Sequence, residues 1–323
     1  MADIEPTAQS NAGNGRSEMI RGTLSIPNVG SDALDIPYFD IRGRRDGPQL
    51  TVLAGVHGTE YTSIAAVREF VRDIDPETVS GRILVVPVVN VSAFWARSPF
   101  VVPGDGKNLN RSFPGDANGS TAEILAERVF NTFIVGADFL VDLHAGDLPE
   151  SLVPFTIFDE SPVEAASRDL SVAYGLPHSV RQNATGRIVA GSSCAAAAAI
   201  GIPSLVAESG QNGLLERPAI DAHLDGLRNL ARFVGVLDGD PWPVREVHQH
   251  EGWDWLYADQ AGWWQASKAI GTSVEAGELI GTVSDVWGDV CTEVRAPGAG
   301  TLLFHTASPA VAEKGILAGI GRA

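Results

Sequence analysis

The run QLTVLA at residues 49–54 is rich in apolar and β-branched residues, and it leads directly into GVHGTE at residues 55–60. Apolar residues then recur at helical spacing over Ser63–Ile74, and a second apolar run, RILVVPVVN, occupies residues 82–90. A strand, a helix and a second strand in this order are typical of a βαβ unit, in which the two strands run parallel. Because both runs are almost continuously apolar, we expect helices to cover both faces of their sheet.

The same alternation continues to about residue 237. Three further apolar runs predict strands: Phe139–Leu143, Val153–Phe158 and Ser204–Ala207. Helical periodicity predicts four more helices: Ala122–Phe133, Pro162–Tyr174, Ser192–Ile200 and Ala219–Leu237. Ahead of the first βαβ unit, residues 19–46 predict short strands, with GRRDG at 43–47 as a turn. The pattern predicts an α/β protein whose central sheet is mostly parallel or mixed, with helices on both faces.

The sequence changes character near residue 238. Residues 238–243, DGDPWP, combine helix breakers with acidic residues, and no helix-length periodic pattern follows them. From residue 252 onward, short apolar runs alternate with glycines, which is typical of a small all-β domain. A length of 323 residues also favours two domains. We therefore predict a flexible tail at 1–18, an α/β domain at 19–240 and a β domain at 245–323.

Composition restricts the classes of partner and the compartment. The 23 Lys and Arg residues against 40 Asp and Glu residues give a net charge of −17, which argues against nucleic acid and anionic membranes as partners. The first residues lack a signal-peptide pattern, and the softest apolar run, 190–207, is interrupted by Gly201 and Pro203. Cys194 and Cys291 are too few for a disulfide scaffold or a thiolate metal site. These features predict a cytoplasmic protein without a membrane span.

A histidine and a carboxylate three residues apart, His57 and Glu60, follow the first strand. Such a pair can face one Zn²⁺ where a strand turns into a helix. Among 7 histidines and 40 acidic residues such pairs also arise by chance, and alone His57 would equally well be a structural histidine. The other pairs begin at His144, which also follows an apolar strand, and at His248, whose polar stretch HQHE (248–251) is interpreted as a solvated linker.

A catalytic zinc site needs three protein ligands and an open position for water. His57 and Glu60 with the distant His144 provide such a set, because in open α/β sheets ligands bind outside the carboxyl ends of the strands. Glu208 also follows an apolar strand and could take a proton from the water, although alone it could equally be a helix-capping or surface carboxylate.

Two arginines are further candidates. Asn110 and Arg111 adjoin each other in KNLNRSFPG (107–115), and an amide beside a guanidinium can hold a substrate carboxylate by parallel hydrogen bonds. An arginine in a turn can equally form a surface ion pair. Arg97 is a candidate for polarising a carbonyl or stabilising an oxyanion.

Together, GVHGTE, KNLNRSFPG, DLHAGD (142–147) and AESG (207–210) resemble the succinylglutamate desuccinylase/aspartoacylase family of the zinc carboxypeptidase-like superfamily. The resemblance spans roughly residues 45–240, with the four motifs in order. It implies one Zn²⁺ per chain and the following roles: His57, Glu60 and His144 as zinc ligands, Glu208 as general base and acid acting on the zinc-bound water, Asn110 and Arg111 as the grip on the substrate carboxylate, and Arg97 near the carbonyl-polarising arginine.

The chain departs from that family at Asn108. The family often has an aspartate at this position, which orients a ligand histidine. An asparagine oxygen can accept the same hydrogen bond, but it lacks the charge that raises the basicity of the ligand, so we expect weaker zinc binding.

The C-terminal region is similar to a biotinyl/lipoyl-type hammerhead in its glycine and valine spacing over residues 271–315. A working carrier needs a lysine on the hairpin tip, and none lies between Lys268 and Lys314. The sequence therefore excludes a carrier function. In the resembled family a β domain of this kind shapes access to the site.

Three functions remain in competition. The favoured one is zinc-dependent hydrolysis of the amide bond of an N-acyl amino acid or a related small carboxylate. The second is a metallocarboxypeptidase that acts on peptides, which the expected β-domain cap disfavours. The third is a non-catalytic binding protein of the same fold, which would have no need of Glu208. The sequence allows either a monomer or a homo-oligomer.

Overall fold

A computed structural model describes residues 17–29, 32–182, 190–243 and 246–322. The expected tail therefore lies outside the described residues up to residue 16, while Glu18 already begins the first strand. Eighteen strands are found in the described residues: β1 (Glu18–Val29), β2 (Asp32–Arg42), β3 (Arg45–Ala54), β4 (Ser80–Val86), β5 (Phe139–His144), β6 (Glu150–Leu152), β7 (Phe155–Asp159), β8 (His178–Gln182), β9 (Ser204–Glu208), β10 (His248–His250), β11 (Gly252–Tyr257), β12 (Gly262–Ala266), β13 (Ser273–Val274), β14 (Leu279–Ser284), β15 (Val290–Arg295), β16 (Gly300–Thr306), β17 (Ala310–Val311) and β18 (Ile316–Arg322).

Helices lie only in the part of the described chain that precedes β10. The α-helices are α1 (Tyr61–Asp73), α2 (Val91–Ala96), α3 (Thr121–Val129), α4 (Glu164–Tyr174), α5 (Ser193–Ala199) and α6 (Arg217–Phe233). Short 3₁₀ turns at Pro76–Thr78 and Leu109–Arg111 and a π-helical turn at Phe130–Ile134 complete the helical structure. None of the described helices is both long enough and apolar enough to cross a membrane.

The central sheet has nine strands in the order β1-β2-β4-β3-β5-β9-β7-β8-β10. Strands β4, β3, β5 and β9 run parallel to one another, whereas β2 and β7 flank them in the antiparallel direction. The prediction of an α/β fold with a mixed central sheet is confirmed. Because β3, β5 and β9 are neighbours and parallel, the carboxyl ends of these strands lie side by side at the same end of the sheet.

Helices cover both faces of this sheet, as predicted. On one face, α1, α4 and α6 bury residues such as Phe70, Leu170 and Leu227 against the strands. On the other face, α3 and α5 bury residues such as Leu125 and Ala197. The sheet is therefore buried between two helical layers, and the loops that follow its strands extend from a packed core.

Several element boundaries differ from the sequence prediction, and proline explains two of them. The strand expected over residues 82–90 ends at Val86, because Pro87 has no N–H to donate to the ladder. The strand expected over residues 153–158 begins only after Pro154, and β6 precedes it.

At the two edges of the nine-stranded sheet the prediction was wrong. The short strands expected over residues 19–46 are instead the two long strands β1 and β2. The polar stretch at 248–251 is no linker: β10 adds to the sheet edge alongside β8, with His250 buried.

From β11 onward all described elements are strands. They form a four-stranded sheet and a five-stranded sheet around a core that includes Trp264, Ile280 and Leu302. The fifth strand of the latter is β6, which comes from the α/β region and pairs with β16. The all-β C-terminal region expected from the sequence is therefore present, and it shares a strand with the region that precedes it.

Candidate metal centre and active site

His57 and Glu60 lie in the loop that joins β3 to α1. Gly55 turns the chain out of the strand with a φ of +66°, a conformation that favours glycine. Gly58 allows a close approach, since a Cβ there would lie 2.2 Å from the backbone nitrogen of Phe94. The glycines of GVHGTE therefore let this loop fold tightly enough to bury both side chains.

His144, the last residue of β5, completes a compact cluster with this pair. Glu60 bridges the two histidines, with 2.6 Å from Oε1 to His57 Nδ1 and 2.9 Å from Oε2 to His144 Nδ1. One donor atom from each of the three residues lies within 4.8 Å of the others, and all three side chains are buried. The three predicted ligands thus converge because β3 and β5 are adjacent parallel strands.

The far sides of both imidazole rings face oxygen acceptors. Asn108 Oδ1 lies 3.1 Å from His57 Nε2, which is the contact expected of this residue from the sequence. Asp142 Oδ2 lies 3.2 Å from His144 Nε2. With the Nε2 protons directed to these acceptors, both Nδ1 lone pairs point toward Glu60, as a shared metal ion requires.

Asp142 was missed by the sequence reasoning, although a signal was present. In DLH, Asp142 and His144 are two residues apart on a strand, so their side chains lie on the same face. Asp142 is fully buried, and Ser193 Oγ donates a hydrogen bond to the same carboxylate oxygen.

The backbone of His144 is held by helix α6. His223 Nε2 donates to the His144 carbonyl at 2.9 Å, and the hydroxyl of Tyr174 lies 2.8 Å from His223 Nδ1. Burial lowers the pKa of His223 to about 4, so this histidine is neutral at pH 7. A neutral ring that donates through Nε2 must accept through Nδ1, which fixes the Tyr174 hydroxyl as a donor.

The electrostatics of the cluster favour positive charge. Burial opposes ionisation of Glu60, but His144 and His57 lower its pKa overall. Burial likewise opposes a charged His144, yet Glu60 and Asp142 hold its pKa well above the usual range. The surrounding carboxylates would therefore stabilise a cation at this point.

Glu208 ends β9 and is paired in register with His144 across the parallel strands β5 and β9. Its Oε2 is buried without a hydrogen-bond partner among the described residues. Burial raises the pKa of this carboxyl well above its usual range, and Glu60 and Glu150 add to the effect. A raised pKa makes this carboxyl group readier to take up a proton, as a group that accepts and then returns one must be.

Asn110 and Arg111 border the same cavity from the 3₁₀ turn. Asn110 Oδ1 accepts from the Ser193 backbone nitrogen at 3.1 Å, and its Nδ2 lies 3.4 Å from His144 Nε2. Arg111 donates through Nη1 to the Asn110 carbonyl at 2.7 Å. Burial lowers the pKa of the guanidinium, while Tyr257 and Glu150 raise it.

Arg97 does not join the other predicted residues. It occupies the left-handed position that ends α2, and its side chain is exposed. It is also absent from the walls of the cavity. In this structure the predicted oxyanion-stabilising guanidinium is therefore separate from the cluster of His57, Glu60 and His144.

The predicted residues other than Arg97 line one cavity of about 350 Å³. Its lining also includes apolar side chains, among them Phe155 from β7 and Trp253, Trp255 and Phe304 from the C-terminal strands. Glu150 of β6 also lines it, and the sequence reasoning did not identify this residue. Loop and strand residues from both halves of the chain thus build one site of a size suited to a small molecule.

Comparison with known protein families identifies the family to which this chain belongs. A profile of the succinylglutamate desuccinylase/aspartoacylase catalytic domain matches residues 46–234, which contain all four motifs. The chain belongs to this family. The resemblance noted from the sequence is thereby confirmed.

Individual relatives agree with this placement. The chain is 26% identical over 294 residues to an N-alpha-acetyl-L-2,4-diaminobutyric acid deacetylase of Halomonas elongata, covering 87% of this chain and 85% of the relative. It is similar to the product-bound structure of the ectoine utilization protein EutE (DoeB) from Ruegeria pomeroyi, with 26% identity, a TM-score of 0.85, and 95% and 96% of the two chains covered.

A second solved structure has the same overall course. A succinylglutamate desuccinylase/aspartoacylase from Rhodobacter sphaeroides is 25% identical with a TM-score of 0.82, over 94% of this chain and 95% of that one. Since both structural matches extend over nearly the whole chain, the all-β C-terminal region belongs to the shared architecture.

Proposed function

We propose that the protein hydrolyses the amide bond of an N-acyl amino acid or a closely related small carboxylate, using one Zn²⁺ per chain. One observation carries the proposal. Glu208, with an unpartnered buried carboxylate oxygen, faces the same cavity as the His57/Glu60/His144 cluster. A binding protein would gain nothing from this carboxylate, whereas a hydrolase needs it as a base.

The cluster suits zinc by the chemistry of its donors. Two imidazoles and one carboxylate are the ligand set of a catalytic zinc site that keeps a position open. When bound, Zn²⁺ would supply a Lewis acid that polarises the amide carbonyl and makes a water molecule more acidic. We propose His57, Glu60 and His144 as its ligands, with Asn108 and Asp142 orienting the two imidazoles.

The chain's own residues perform the other steps. Arg111 and Asn110 bind the substrate carboxylate and fix the amide relative to Glu208. Glu208 takes one proton from the attacking water as the C–O bond forms. It then returns that proton to the amide nitrogen as the C–N bond breaks, so the products are a carboxylic acid and an amine. We retain Arg97 as a proposed oxyanion donor, a role that requires its side chain to turn into the cavity.

The C-terminal region favours a small substrate over a peptide. Trp253, Trp255 and Phe304 line the same cavity as His57, Glu60 and His144, and its volume of about 350 Å³ suits a short acyl group and one amino acid. Because relatives carry the names deacetylase and desuccinylase, acetyl and succinyl groups are the first acyl groups to test.

We also propose that the chain divides into domains at residues 19–240 and 245–323, and that the second domain has a hammerhead-like fold.

The test is a substrate panel on protein whose zinc content has been measured. N-acetyl amino acids, N-succinyl amino acids and dipeptides would be compared for the wild type, for Glu208→Gln and for a matched control, Glu313→Gln, on an exposed turn. We expect hydrolysis of N-acyl amino acids above dipeptides, and loss of several orders of magnitude in Glu208→Gln with zinc retained. Preference for dipeptides would favour the carboxypeptidase, and turnover unchanged by Glu208→Gln would refute the mechanism.

A further inference from the structure

Asp147 is a buried carboxylate that the proposed chemistry does not use. It ends the motif DLHAGD, and its side chain is fully buried. Its Oδ1 accepts hydrogen bonds from the Thr59 hydroxyl and from the Leu148 N–H, the latter at 2.7 Å. Its Oδ2 accepts from the Phe100 N–H at 2.7 Å. The carboxylate therefore joins three loops: the loop after β3, the loop after α2 and the loop after β5.

Phe100, which donates to this carboxylate, has a strained backbone. Its φ is +59°, a left-handed value that is uncommon for a bulky residue. The Val101 N–H donates to the Pro99 carbonyl at 2.6 Å, so Phe100 is the central residue of a three-residue turn. A three-residue turn with a positive φ is rare and strained. Such strain persists only where surrounding contacts enforce it, and the hydrogen bond to Asp147 is such a contact.

The side chain of Phe100 contacts one of the proposed metal ligands. Phe100 lines the cavity, and its ring meets the His57 ring edge to face, with centroids 5.8 Å apart and an angle of 80° between the planes. Glycine would adopt the same turn without strain but would supply no ring. The strain at this position is therefore offset by a contact that only a side chain can make.

The same segment of chain also provides the polar contact of His57. Val101 forms an antiparallel bridge with Asn108, whose Oδ1 lies 3.1 Å from His57 Nε2. The apolar and the polar neighbour of this imidazole thus come from the loop to which Asp147 is bonded. Because Asp147 also binds Thr59, it fixes that loop relative to the loop that carries His57.

We propose that Asp147 is a positioning residue, which holds the turn at Phe100 in place so that the Phe100 ring fixes the orientation of the His57 imidazole. The inference rests on the proposed metal site and extends it to residues that do not touch the ion. Groups that orient a ligand histidine and exclude water from it strengthen metal binding. Asp147 therefore acts on the metal site through Phe100.

The first variant, Asp147→Asn, removes one acceptor. An amide oxygen in the place of Oδ1 still accepts from Thr59 and Leu148, whereas the NH₂ group then faces the Phe100 N–H, and two donors cannot bond. We expect the zinc affinity, measured by competition with a fluorescent chelator, to fall about tenfold. The control is Asp75→Asn, at a turn before the amino end of β4, which should leave the zinc affinity unchanged.

A second variant separates positioning from a general loss of stability. Phe100→Ala removes the ring and leaves Asp147 in place, and it should lower the zinc affinity by a similar factor. The double variant should bind zinc within about threefold of Phe100→Ala alone, because Asp147 acts through the ring. Single effects that multiply in the double variant would overturn the proposal, as would a zinc affinity of Asp147→Asn within about twofold of the wild type.

A measurement on metal-free protein separates this proposal from the proposed function. Hydrogen exchange of the Phe100 amide should be about tenfold or more faster in Asp147→Asn than in the wild type, because its acceptor is lost. Phe100→Gly should have a higher urea midpoint than Phe100→Ala, since glycine relieves the strain. A wild type that binds no zinc would refute the proposed metal site. Equal exchange rates in the wild type and Asp147→Asn would overturn the role of Asp147, whether or not zinc binds.

Discussion

Asp142 should control the metal affinity of the cluster through His144. Its carboxylate lies 3.2 Å from His144 Nε2, fully buried, and holds the ring proton on that nitrogen. In Asp142→Asn the amide NH₂ can turn toward Nε2, which favours the tautomer with the proton on Nδ1, the nitrogen that faces Glu60. The ligand nitrogen would then have to lose a proton before binding, and the negative charge that raises its basicity would be gone.

The size of the effect follows from the position of Asp142 beside His144, one of the three proposed ligands. Loss of such a partner weakens metal binding about 10- to 100-fold, or about 1.4–2.8 kcal/mol. Ser193 Oγ bonds to the same carboxylate atom that faces His144, and its hydroxyl can accept from the asparagine NH₂ that takes this position, so we expect little change in folding. The assay is zinc competition against a fluorescent chelator, with Asp138→Asn, an exposed residue just before β5, as the control. Zinc affinities of Asp142→Asn and wild type that agree within twofold would refute the orienting role.

Three further predictions concern substrate binding and stability. Arg111→Ala should raise KM for carboxylate substrates about tenfold or more and leave KM for the corresponding neutral amides nearly unchanged; equal effects on both would make Arg111 structural. Burial lowers the pKa of His223 to about 4 in the folded protein, so between pH 6.5 and 4 the unfolded chain binds a proton at this histidine more readily than the folded chain does. The free energy of unfolding therefore decreases as the pH falls from 6.5 toward 4. Urea titrations at several pH values should show that this decrease is less steep in His223→Asn than in the wild type, by up to about 1.4 kcal/mol per pH unit. Equal slopes would contradict a buried, neutral His223. Arg82 and Arg42 donate to buried Asp40 and keep its pKa low despite burial. Asp40→Asn should therefore lower the free energy of unfolding by about 1–3 kcal/mol at pH 7. This difference between variant and wild type should shrink as the pH falls below about 3.8, and a difference that is independent of pH would contradict the ion pairing.

The sequence predicted the α/β fold and the convergence of the ligands because both follow from strand order and hydrophobic patterning. His57 and His144 follow apolar strands, and neighbouring parallel strands bring their carboxyl ends together. The family resemblance also predicted that Asn108 would accept a hydrogen bond from a ligand histidine, and the structure shows that this histidine is His57.

Residues whose role depends on distant packing escaped prediction. Glu150 lies in the cavity wall because β6 pairs with β16, which follows roughly half a chain length later in the sequence. No local sequence pattern predicts that pairing. His223 is an ordinary helical residue until α6 packs behind β5. In the same way, the polar composition at residues 248–251 masked a strand, since an edge strand does not need two apolar faces.

The central claim is that His57, Glu60 and His144 share one divalent ion. Anomalous scattering at the zinc edge from crystals of zinc-loaded protein tests it most directly. The account predicts one strong peak about 2.0–2.2 Å from Nδ1 of both histidines and from a Glu60 oxygen. A peak elsewhere, for example beside the stacked His178 and His250 at the sheet edge, with none at the cluster, would contradict it.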